Sequence, residues 1–489
     1  MNIRELNPQI VWAIFDDITK VPRPSKKEDH IRAYLKNFAK QNNLAVKEDE
    51  VGNILISKPA TLGKESAPML TLQAHMDMVC EKNNGVIFNF DKDPIKTRID
   101  DDWVRAEETT LGADNGIGIA AALAVLTDEN IQHGPIEALF TVDEETGLTG
   151  AYALKDNFIK GKYLINLDSE EEGEIFVGCA GGIDTIATFP YHPMMTPPNY
   201  HYLKISVSGL RGGHSGSDIN EGRGNSLKIL TRFLCRCAQI HDIVLCSLEG
   251  GNLRNAIPRE ASAVIGIHTD NKEKVTVDLN IFNAAIAEEL HCVDPGFKME
   301  WESLEPQKLA IDRQASFGLL NSLNACPHGV ISMSHNIKGL VETSTNLASV
   351  KKSGDSHIIV TTSQRSSVDS MKSGLACSIK SLFSLAGAKI AHSDGYPGWK
   401  PNVDSNLLKL AIEAYQELSG GKKPEIKAIH AGLECGLFLQ KYPYLDMISF
   451  GPTLSGVHSP DEKINISSVD KFYKHLTTLI EKIANVEYV

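Results

Sequence analysis

The chain has 489 residues, of which 42% are apolar and 23% are charged, and these shares are typical of a globular protein. The length exceeds that of one ordinary hydrophobic core, so we expect more than one domain. The formal net charge of −13 argues against nucleic acid or an anionic membrane as the main partner, although many proteins are equally acidic without a special reason.

Targeting and compartment signals are weak throughout the sequence. Residues 1–20 place acidic side chains inside an apolar stretch and show no small-residue cleavage pattern, so we expect no signal peptide. The longest apolar run, residues 119–126, is too short to span a bilayer. The nine cysteines are irregularly spaced and fit neither a disulfide framework nor a CxxC motif. We therefore expect a protein of the reducing cytoplasm.

Helical and strand-like patterns alternate through the N-terminal part of the chain. Ser25 and Glu28 have the spacing of a capping box ahead of a helical segment. Hydrophobic periodicity then predicts strands at 51–57, 69–74, 136–142 and 163–168 and helices near 115–128 and 147–155. This alternation is typical of an α/β layer with a largely parallel sheet.

Two segments rich in proline and polar residues, 191–201 and 393–405, look like crossings between domains. Between them, strand-like alternation such as "HIIVTTSQRSSV" mixes with amphipathic helices. After them, the helix "NLLKLAIEAYQEL", the strand "YLDMISF" and a helix near 467–485 resume the first pattern. We therefore predict one α/β domain formed by residues 1–189 and 396–489, with a second α/β domain inserted as residues 190–395.

Residue types that bind metals follow the predicted strands. They are His75 and Asp77 after 69–74, Asp143, Glu144 and Glu145 after 136–142, Asp168 at the end of 163–168, His458 after "YLDMISF", and Asp114 at the start of the helix near 115–128. In open α/β sheets, ligands bind beyond the carboxyl ends of the strands. We therefore expect these side chains to lie at one edge of the sheet.

Each of these residues also has an ordinary explanation. A histidine after a strand is more often a core or surface residue, and paired glutamates can favour a helix N-terminus through its dipole. Asp114 can be a helix N-cap, and "GADNGIG" is a weak match to a phosphate-binding loop. The coincidence of five such segments at one edge favours a metal site.

The donor types suit one kind of chemistry. Histidines and carboxylates without cysteine fit Zn²⁺, with Mn²⁺ or Co²⁺ as alternatives, and one carboxylate can bridge two ions about 3.5–4 Å apart. Adjacent residues of an extended chain point to opposite sides. We therefore expect one of Glu144 and Glu145 to bind metal while its neighbour stays free as a general base, with a pKa raised toward ~6–7.

The elements H-x-D, G-A-D-N-G, D-E-E-T-G, N-L-D and G-V-H-S, in that order, resemble those of the M20 metallopeptidases. "LQAHMDMVCEKN", "GLRGGHSG", "NLRNAIPRE", "GYPGWKP" and "HAGLECGLF" are most similar to the aminoacyl-histidine dipeptidases, also called Xaa-His or cytosol non-specific dipeptidases. The resemblance covers essentially the whole chain. It implies a zinc-peptidase-like, mostly parallel sheet flanked by helices in a catalytic domain, and it identifies the insert as a lid.

The resemblance implies two Zn²⁺ ions per chain, with Mn²⁺ or Co²⁺ as possible substitutes. His75 and Asp168 would hold one ion, Glu145 and His458 would hold the other, and Asp114 would bridge the two ions.

The same resemblance assigns the catalytic groups beside the metals. Asp77 would orient His75, as carboxylates commonly do for zinc-binding histidines. Glu144 would be the general base. The peptide bond between Asp114 and Asn115 would be cis.

Substrate contacts are implied for the lid and one later loop. His214, in the Gly-rich segment "RGGHSG", would stabilise the oxyanion when the lid closes. Asn255 and Arg365 would bind the C-terminal carboxylate of a dipeptide, for which an arginine fork is well suited. Glu434 would hold the free amino group.

The implied reaction is hydrolysis of small dipeptides with a free N-terminus, Xaa-His among them, by a cytoplasmic enzyme without nucleic-acid or membrane partners. Relatives are often dimers built through the lid, so we expect a homodimer. One alternative is an M20-type deacylase of N-acyl amino acids, against which the long insert argues. A second alternative is a non-catalytic metal-binding protein of the same fold, which should have lost Glu144 or its metal ligands.

Overall fold

A computed structural model describes residues 2–486 of the chain. The helices are α1 (Gln9–Ile18), α2 (Asp29–Gln41), α3 (Ala113–Thr127), α4 (Glu144–Gly147), α5 (Thr149–Ala153), α6 (Ser226–Ile240), α7 (Lys272–Leu290), α8 (Arg313–Ala325), α9 (Asp369–Leu385), α10 (Asn406–Leu418), α11 (Glu434–Lys441) and α12 (Ile466–Ala484). Within residues 2–486, no helix combines the length and apolarity that a membrane crossing requires.

The strands of the described chain are mostly short. They are β1 (Ala45–Glu48), β2 (Ile54–Lys58), β3 (Leu70–His75), β4 (Thr97–Asp100), β5 (Trp103–Ala106), β6 (Ile136–Thr141), β7 (Tyr163–Asn166), β8 (Glu174–Cys179), β9 (Gly181–Pro190), β10 (Pro193–Met195), β11 (Tyr200–Ser208), β12 (Gly213–His214), β13 (Ile243–Gly250), β14 (Ala256–Ile257), β15 (Ala261–His268), β16 (Lys298–Leu304), β17 (Leu309–Ile311), β18 (Gly329–Met333), β19 (Val341–Ser353), β20 (His357–Ser366), β21 (Lys389–His392), β22 (Glu425–Ile429), β23 (Asp446–Ser449), β24 (Leu454–Ser455) and β25 (Lys463–Asn465).

The chain forms two compact units. The first comprises the residues up to Gly178, Pro401–Ala428 and the residues from Leu433 onward. The second comprises Cys179–Lys400 and the short segment Ile429–Gly432. The second unit therefore contains the whole of the insert expected at 190–395, together with flanking residues and four residues from much later in the chain.

The first unit is built on an eight-stranded sheet with the order β1-β2-β6-β3-β7-β23-β8-β22. Its centre is parallel, because β3 pairs in parallel with β6 and β7, and β23 pairs in parallel with β7. Strands β1, β2 and β8 join the sheet antiparallel. Strands β3, β6 and β7 are buried along their whole length, as expected for parallel strands covered on both faces. The expected parallel arrangement is confirmed for the centre of the sheet.

Most of the elements predicted for this unit are confirmed. Strands β2, β3, β6, β7 and β23 overlap the predicted strands, and α3, α10 and α12 overlap the predicted helices. The helix expected near 147–155 is instead two short helices, α4 and α5, separated by Leu148 with a left-handed φ of 55°. This break places the acidic residues after β6 in a tight helical turn.

The predicted capping box at Ser25 and Glu28 is wrong. Helix α2 begins at Asp29, and its N-cap residue Glu28 makes no side-chain capping bond. Ser25 Oγ instead donates to Asp77 Oδ2 at 2.8 Å, and the Glu28 carboxylate accepts the backbone N–H of Asp143 at 3.0 Å. The spacing marked the helix start, but Ser25 has a partner distant in sequence, and Glu28 also accepts the N–H of Lys26 at 2.8 Å.

A small antiparallel sheet, with the order β24-β25-β5-β4, also belongs to the first unit. Strands β24 and β25 pair through Leu454↔Ile464 and Ser455↔Lys463. The turn between these strands carries His458. The small sheet therefore fixes the position of a loop that lies far along the chain from the other metal-binding residue types.

The second unit is built on a nine-stranded sheet with the order β16-β11-β15-β13-β19-β20-β9-β21, and β18 pairs with β19. The strands of this sheet pair antiparallel, for example β11 with β15 and β19 with β20. Side chains from its strands and helices, including Ile205, Phe233 and Phe383, form one buried apolar core. The insert therefore mixes helices and strands as expected, but its sheet is antiparallel.

Candidate metal centre and active site

The parallel centre of the first sheet brings three loops to one edge. His75 is the last residue of β3, Glu144 and Glu145 begin α4 directly after β6, and Asp168 follows β7. Because β6, β3 and β7 are neighbours and run in the same direction, their carboxyl ends lie side by side. Adjacent strands thus deliver a histidine and three carboxylates to the same place.

The Asp114 carboxylate lies between two histidines. Its Oδ1 atom is 2.9 Å from His75 Nε2, and its Oδ2 atom is 3.1 Å from His458 Nε2. His75 Nε2 is also 3.3 Å from Asp168 Oδ1, and His458 Nε2 is 3.1 Å from Glu145 Oε2. Each oxygen of Asp114 therefore faces a different cluster of donors, as in a carboxylate that bridges two ions.

The donor atoms form three overlapping groups in which one atom from each residue lies within 4.8 Å of the others. These groups are His75 with Asp114 and Asp168, His75 with Glu144 and Glu145, and Asp114 with Glu145 and His458. Glu145 Oε1 is buried and has no hydrogen-bond partner among the described residues. Buried carboxylates without a compensating positive charge are unfavourable. The residues therefore fit divalent metal ions with nitrogen and oxygen ligands.

Asp77 connects His75 to the loop that carries the two glutamates. Its Oδ1 atom is 3.3 Å from His75 Nδ1 and accepts the N–H of Glu144 at 3.0 Å, while Oδ2 accepts the N–H of Glu145 at 3.2 Å. Burial by itself raises the pKa of Asp77, but the hydrogen bond and charge of His75, with the Glu144 N–H and Ser25 hydroxyl, outweigh it and hold the pKa at about 2. An anionic Asp77 favours a proton on Nδ1 of His75, which leaves Nε2 to face Asp114 and Asp168.

The two glutamates are adjacent residues of a helical turn, and not of extended chain as we expected. Both lie in the first turn of α4, where successive side chains point about 100° apart. Glu145 points to His458, whereas burial raises the pKa of Glu144 well above its ordinary value, with Asp168 adding to the rise and His75 opposing it. Glu145 therefore faces His458 directly, whereas Glu144, in the donor group with His75, is distinguished by its raised pKa.

The start of α3 is shaped differently from an ordinary helix start. The N-cap residue is Gly112, with a φ of 70°, so the reading of Asp114 as an N-cap is wrong. The Asp114–Asn115 peptide bond is cis, as the resemblance implied. Asn115 Nδ2 donates to the backbone oxygen of Leu167 at 3.0 Å and also to the Asp168 carboxylate. This short segment thus positions two of the donor carboxylates.

Glu434, at the start of α11, belongs to the same unit and is almost fully buried. Its Oε2 atom accepts hydrogen bonds from Gln73 Nε2 at 2.6 Å and Thr141 Oγ1 at 2.9 Å, while Oε1 is buried without a partner among residues 2–486. Burial raises the pKa of Glu434 to about 8, although His75 opposes the shift. A cationic group against Oε1 would relieve this cost.

His214 belongs to the second unit. Its Nδ1 atom accepts the backbone N–H of Gly216 at 3.2 Å and of Ser217 at 3.1 Å. Because Nδ1 accepts, the proton of the neutral ring lies on Nε2. Burial and then the charge of Arg365 lower the pKa of His214, which favours this neutral form. His214 is therefore a neutral donor through Nε2.

The structure places the other expected residues of the second unit close to His214. Strand β12 pairs His214 with Ala256, next to the exposed Asn255, whose backbone oxygen accepts the N–H of Ser215 at 2.8 Å. Arg365 is buried, and its guanidinium donates to Tyr396 Oη at 2.8 Å. The basic group expected to bind a carboxylate is thus held in one orientation.

Sequence reasoning missed four residues that shape these clusters: Arg23, Tyr396, His430 and Glu462. Arg23 is buried and donates to the backbone oxygens of Met76 and Asp77 at 3.1 and 2.8 Å. His430 Nε2 lies 2.7 Å from Ser344 Oγ, and burial lowers its pKa to about 3. Tyr396 and His430 occur in the motifs "GYPGWKP" and "HAGLECGLF", which offered a signal without indicating their partners.

Comparison with known proteins gives consistent similarities over the whole length. A profile of the Peptidase family M20/M25/M40 matches residues 71–482. The chain is 44% identical over 481 residues to the cytosol non-specific dipeptidase of Escherichia coli (strain K12). The aligned region covers 98% of this chain and 99% of that protein.

Solved structures give the same result for the fold. The aminoacylhistidine dipeptidase of Vibrio alginolyticus aligns with a TM-score of 0.93 and 42% identity, over 99% of this chain and 98% of the other. The aminopeptidase PepT of Bacillus cereus aligns with a TM-score of 0.57 and 18% identity, over 98% of this chain and all of the other, and this likeness concerns the fold alone.

Proposed function

The chain belongs to the M20/M25/M40 peptidase family, and from this membership we propose that it is a metal-dependent dipeptidase. Its substrates are dipeptides with a free N-terminus, Xaa-His dipeptides among them, in agreement with the names of its relatives from Escherichia coli and Vibrio alginolyticus. The observation that carries the proposal is the Asp114 carboxylate, which faces His75 and His458 through different oxygens.

We propose that the site holds two Zn²⁺ ions, with Mn²⁺ or Co²⁺ as possible substitutes. His75 and Asp168 would hold one ion, Glu145 and His458 would hold the other, and Asp114 would contribute to both. The support is the division of donors around the two oxygens of Asp114 and the unpartnered Oε1 of Glu145. When bound, such ions polarise the scissile carbonyl and make water a better nucleophile near neutral pH.

In this proposal Glu144 is the general base. It takes a proton from the attacking water and delivers it to the nitrogen of the leaving amino acid. Burial raises its pKa, as is common for carboxylates that serve as general acids and bases. Asp77 orients His75 and, through the N–H groups of Glu144 and Glu145, fixes the first turn of α4.

The ends of the dipeptide are recognised by charged groups. We propose that Glu434 binds the free ammonium group through Oε1, because this oxygen is buried and lacks a partner among the described residues. Arg365 and Asn255 bind the C-terminal carboxylate, and Tyr396 supports the Arg365 guanidinium. Because the site binds both the ammonium group and the carboxylate of the substrate, it accepts only short peptides whose two ends are free.

We propose that the second unit acts as a lid and supplies His214 to the reaction. His214 Nε2–H donates to the carbonyl oxygen as negative charge develops on it, which stabilises the transition state. The support is the arrangement of Nδ1, whose two backbone donors leave the ring proton on Nε2.

We also propose that the enzyme works in the cytosol as a homodimer through the lid, without nucleic-acid or membrane partners. The relative from Escherichia coli is named for the cytosol. In residues 2–486, which include all nine cysteines, no disulfide is formed.

Metal analysis combined with a substrate panel tests this function. The panel contains Xaa-His and other dipeptides, their N-acetylated and C-amidated forms, and N-acyl amino acids. We expect zinc in the purified protein, turnover of the free dipeptides, and weak turnover of both blocked forms because Glu434 and Arg365 lose a charged partner. Preferential hydrolysis of N-acyl amino acids would identify a deacylase, and bound metal without turnover would identify a binding protein.

A further inference from the structure

Glu462 is a buried carboxylate to which the reaction gives no function. It lies in the turn between β24 and β25 and is 2% exposed. Its two oxygens accept backbone N–H groups from four consecutive residues, Leu111 at 2.7 Å and Gly112 at 2.9 Å on Oε2, and Ala113 at 2.8 Å and Asp114 at 3.3 Å on Oε1.

The N–H groups of Ala113 and Asp114 are among those that a helix leaves unsatisfied at its N-terminus, whereas those of Leu111 and Gly112 belong to the segment just before α3. A local Ser, Thr, Asp or Asn ordinarily accepts one or two of them, but the N-cap residue of α3 is Gly112, which has no side chain. Glu462 takes that place from a position distant in sequence, and its negative charge complements the helix dipole.

The turn that carries Glu462 also carries His458. Two hydrogen bonds within this turn close it. The Glu462 N–H donates to the Ser459 backbone oxygen at 3.0 Å, and Ser459 Oγ donates to the Gly456 backbone oxygen at 2.7 Å. Glu462 and His458 are therefore parts of one compact turn. Because Glu462 binds the segment that ends in Asp114, it links the turn with His458 to the carboxylate that faces His458.

Arg23 holds the same segment from another side. Its guanidinium donates to the carbonyl oxygen of Gly112 and also to the backbone oxygens of Met76 and Asp77, directly after β3. A Cβ atom at Gly112 would lie 2.6 Å from the Arg23 side chain, and the φ of 70° disfavours other residues. Residues 111–114 are thus held between the carboxylate of Glu462 and the guanidinium of Arg23, and they have little freedom to move.

We propose that Glu462 is a positioning residue of the metal centre, which holds Asp114 and His458 at the separation that a shared metal ion requires. The inference rests on the proposed metal site. The alternative is that Glu462 only stabilises the start of α3, without any influence on metal binding.

The variant Glu462→Gln separates these two roles. Glutamine has nearly the same size, but only one of its two terminal atoms accepts hydrogen bonds, so two of the four backbone N–H groups lose their acceptor. We expect the affinity for Zn²⁺, measured by competition with a chromophoric chelator, to fall roughly 10–100-fold, the range seen when groups that orient metal ligands are removed. The visible absorption of the Co²⁺-loaded variant should also change, because it reports ligand geometry.

Glu137→Gln is the matched control. Glu137 is also buried and accepts the N–H groups of Lys160 and Gly161 at 2.6 and 2.8 Å and the Thr71 hydroxyl at 2.8 Å. It lies near the amino ends of β3 and β6, at the end of these strands opposite to His75. We expect this variant to unfold at a lower temperature while its Zn²⁺ affinity and Co²⁺ spectrum stay as in the wild type.

The inference is overturned if Glu462→Gln keeps the wild-type affinity and spectrum, or if Glu137→Gln loses as much affinity. Should Glu462→Gln fail to fold, Glu462→Asp keeps the charge but shortens the side chain, and we expect a smaller loss of Zn²⁺ affinity. A folded aspartate variant with unchanged affinity overturns the inference equally. If the wild type itself binds no Zn²⁺ or Co²⁺, it is the proposed function that fails.

Discussion

Glu144 and Glu145 are neighbours in one helical turn, and their surroundings give them different tasks. Glu145 has one oxygen 3.1 Å from His458 Nε2 and a second oxygen that is buried and unpartnered among the described residues. Glu144 belongs to the donor group with His75, and burial raises its pKa. We therefore expect substitutions at these two positions to affect different quantities.

Glu144→Gln should abolish turnover while the fold and the metal content stay normal. Glutamine has the size of glutamate but cannot accept the proton of the attacking water, so the loss falls on kcat. Steady-state kinetics on the best dipeptide, together with metal analysis of the same sample, measure both quantities. A near-normal kcat would show that Glu144 is not the base.

Glu145→Ala is the matched comparison within the same turn. It removes a proposed ligand, so metal content should fall together with activity. Full metal occupancy in this variant would contradict the division of tasks between the two glutamates.

His214→Ala should lower kcat by roughly 10²–10³ with a much smaller effect on KM, because an oxyanion donor acts mainly in the transition state. Metal content should stay normal, since His214 is not a proposed ligand. His214→Gln keeps an N–H donor and should retain more activity than the alanine variant. Unchanged kcat and kcat/KM in the alanine variant would remove His214 from the mechanism.

At the scale of elements, α3 couples packing to the candidate metal centre. The helix is apolar on all sides and almost completely buried. A Cβ atom at Gly118 would lie 1.9 Å from Asn115 Oδ1 and 2.7 Å from the backbone oxygen of Leu167. Asn115 is the residue that donates to the Asp168 carboxylate, so the space beside Gly118 is required by the site as well as by the core.

Gly118→Ala should therefore destabilise the protein by roughly 1–3 kcal/mol through overpacking and should weaken metal retention by displacing Asn115. Denaturant unfolding and metal analysis measure the two effects.

Gly374→Ala, in the exposed part of α9, is the control. A Cβ atom there meets nothing within 4 Å, so the substitution should stabilise the helix by roughly 0.5–1 kcal/mol. If both alanine variants behaved alike, close packing at Gly118 would not be the cause.

At the scale of the whole molecule, the candidate metal centre draws on segments from about 75 to 458 in the chain. Its carboxylates, Asp114, Asp168 and Glu145, are brought together with little solvent around them, and only a native chain does so. Metal ions that bind this arrangement bind the folded state in preference to the unfolded chain. Metal binding should therefore contribute a large part of the free energy of unfolding.

Removal of metal by a chelator should lower both activity and the unfolding temperature, and Zn²⁺ should restore both. Binding at a thousandfold excess over Kd contributes about 4 kcal/mol per site. Thermal unfolding before chelation, after chelation and after Zn²⁺ addition measures the effect. Mg²⁺ is the control ion, because it prefers octahedral oxygen ligands and should not substitute efficiently. A chelated protein with unchanged activity and unfolding temperature contradicts the proposed metal dependence.

The sequence by itself determined the family, the reaction class and most elements of the first unit. Buried strands such as β3 and β6 follow from local apolar runs, and His75, Asp168 and the two glutamates follow from the rule that ligands lie beyond carboxyl strand ends. These features depend on residues close together in the chain. For that reason a pattern of residues was enough to predict them.

Only the tertiary structure decided how polar groups distant in sequence are paired. Ser25 left its expected capping bond for Asp77, and Glu462 caps α3 from 348 residues away, at Asp114. The segment Ile429–Gly432 joined the second unit, although the residues around it belong to the first. A buried polar group bonds to whichever partner the fold brings within hydrogen-bonding distance, and the spacing of residues in the sequence does not predict that distance.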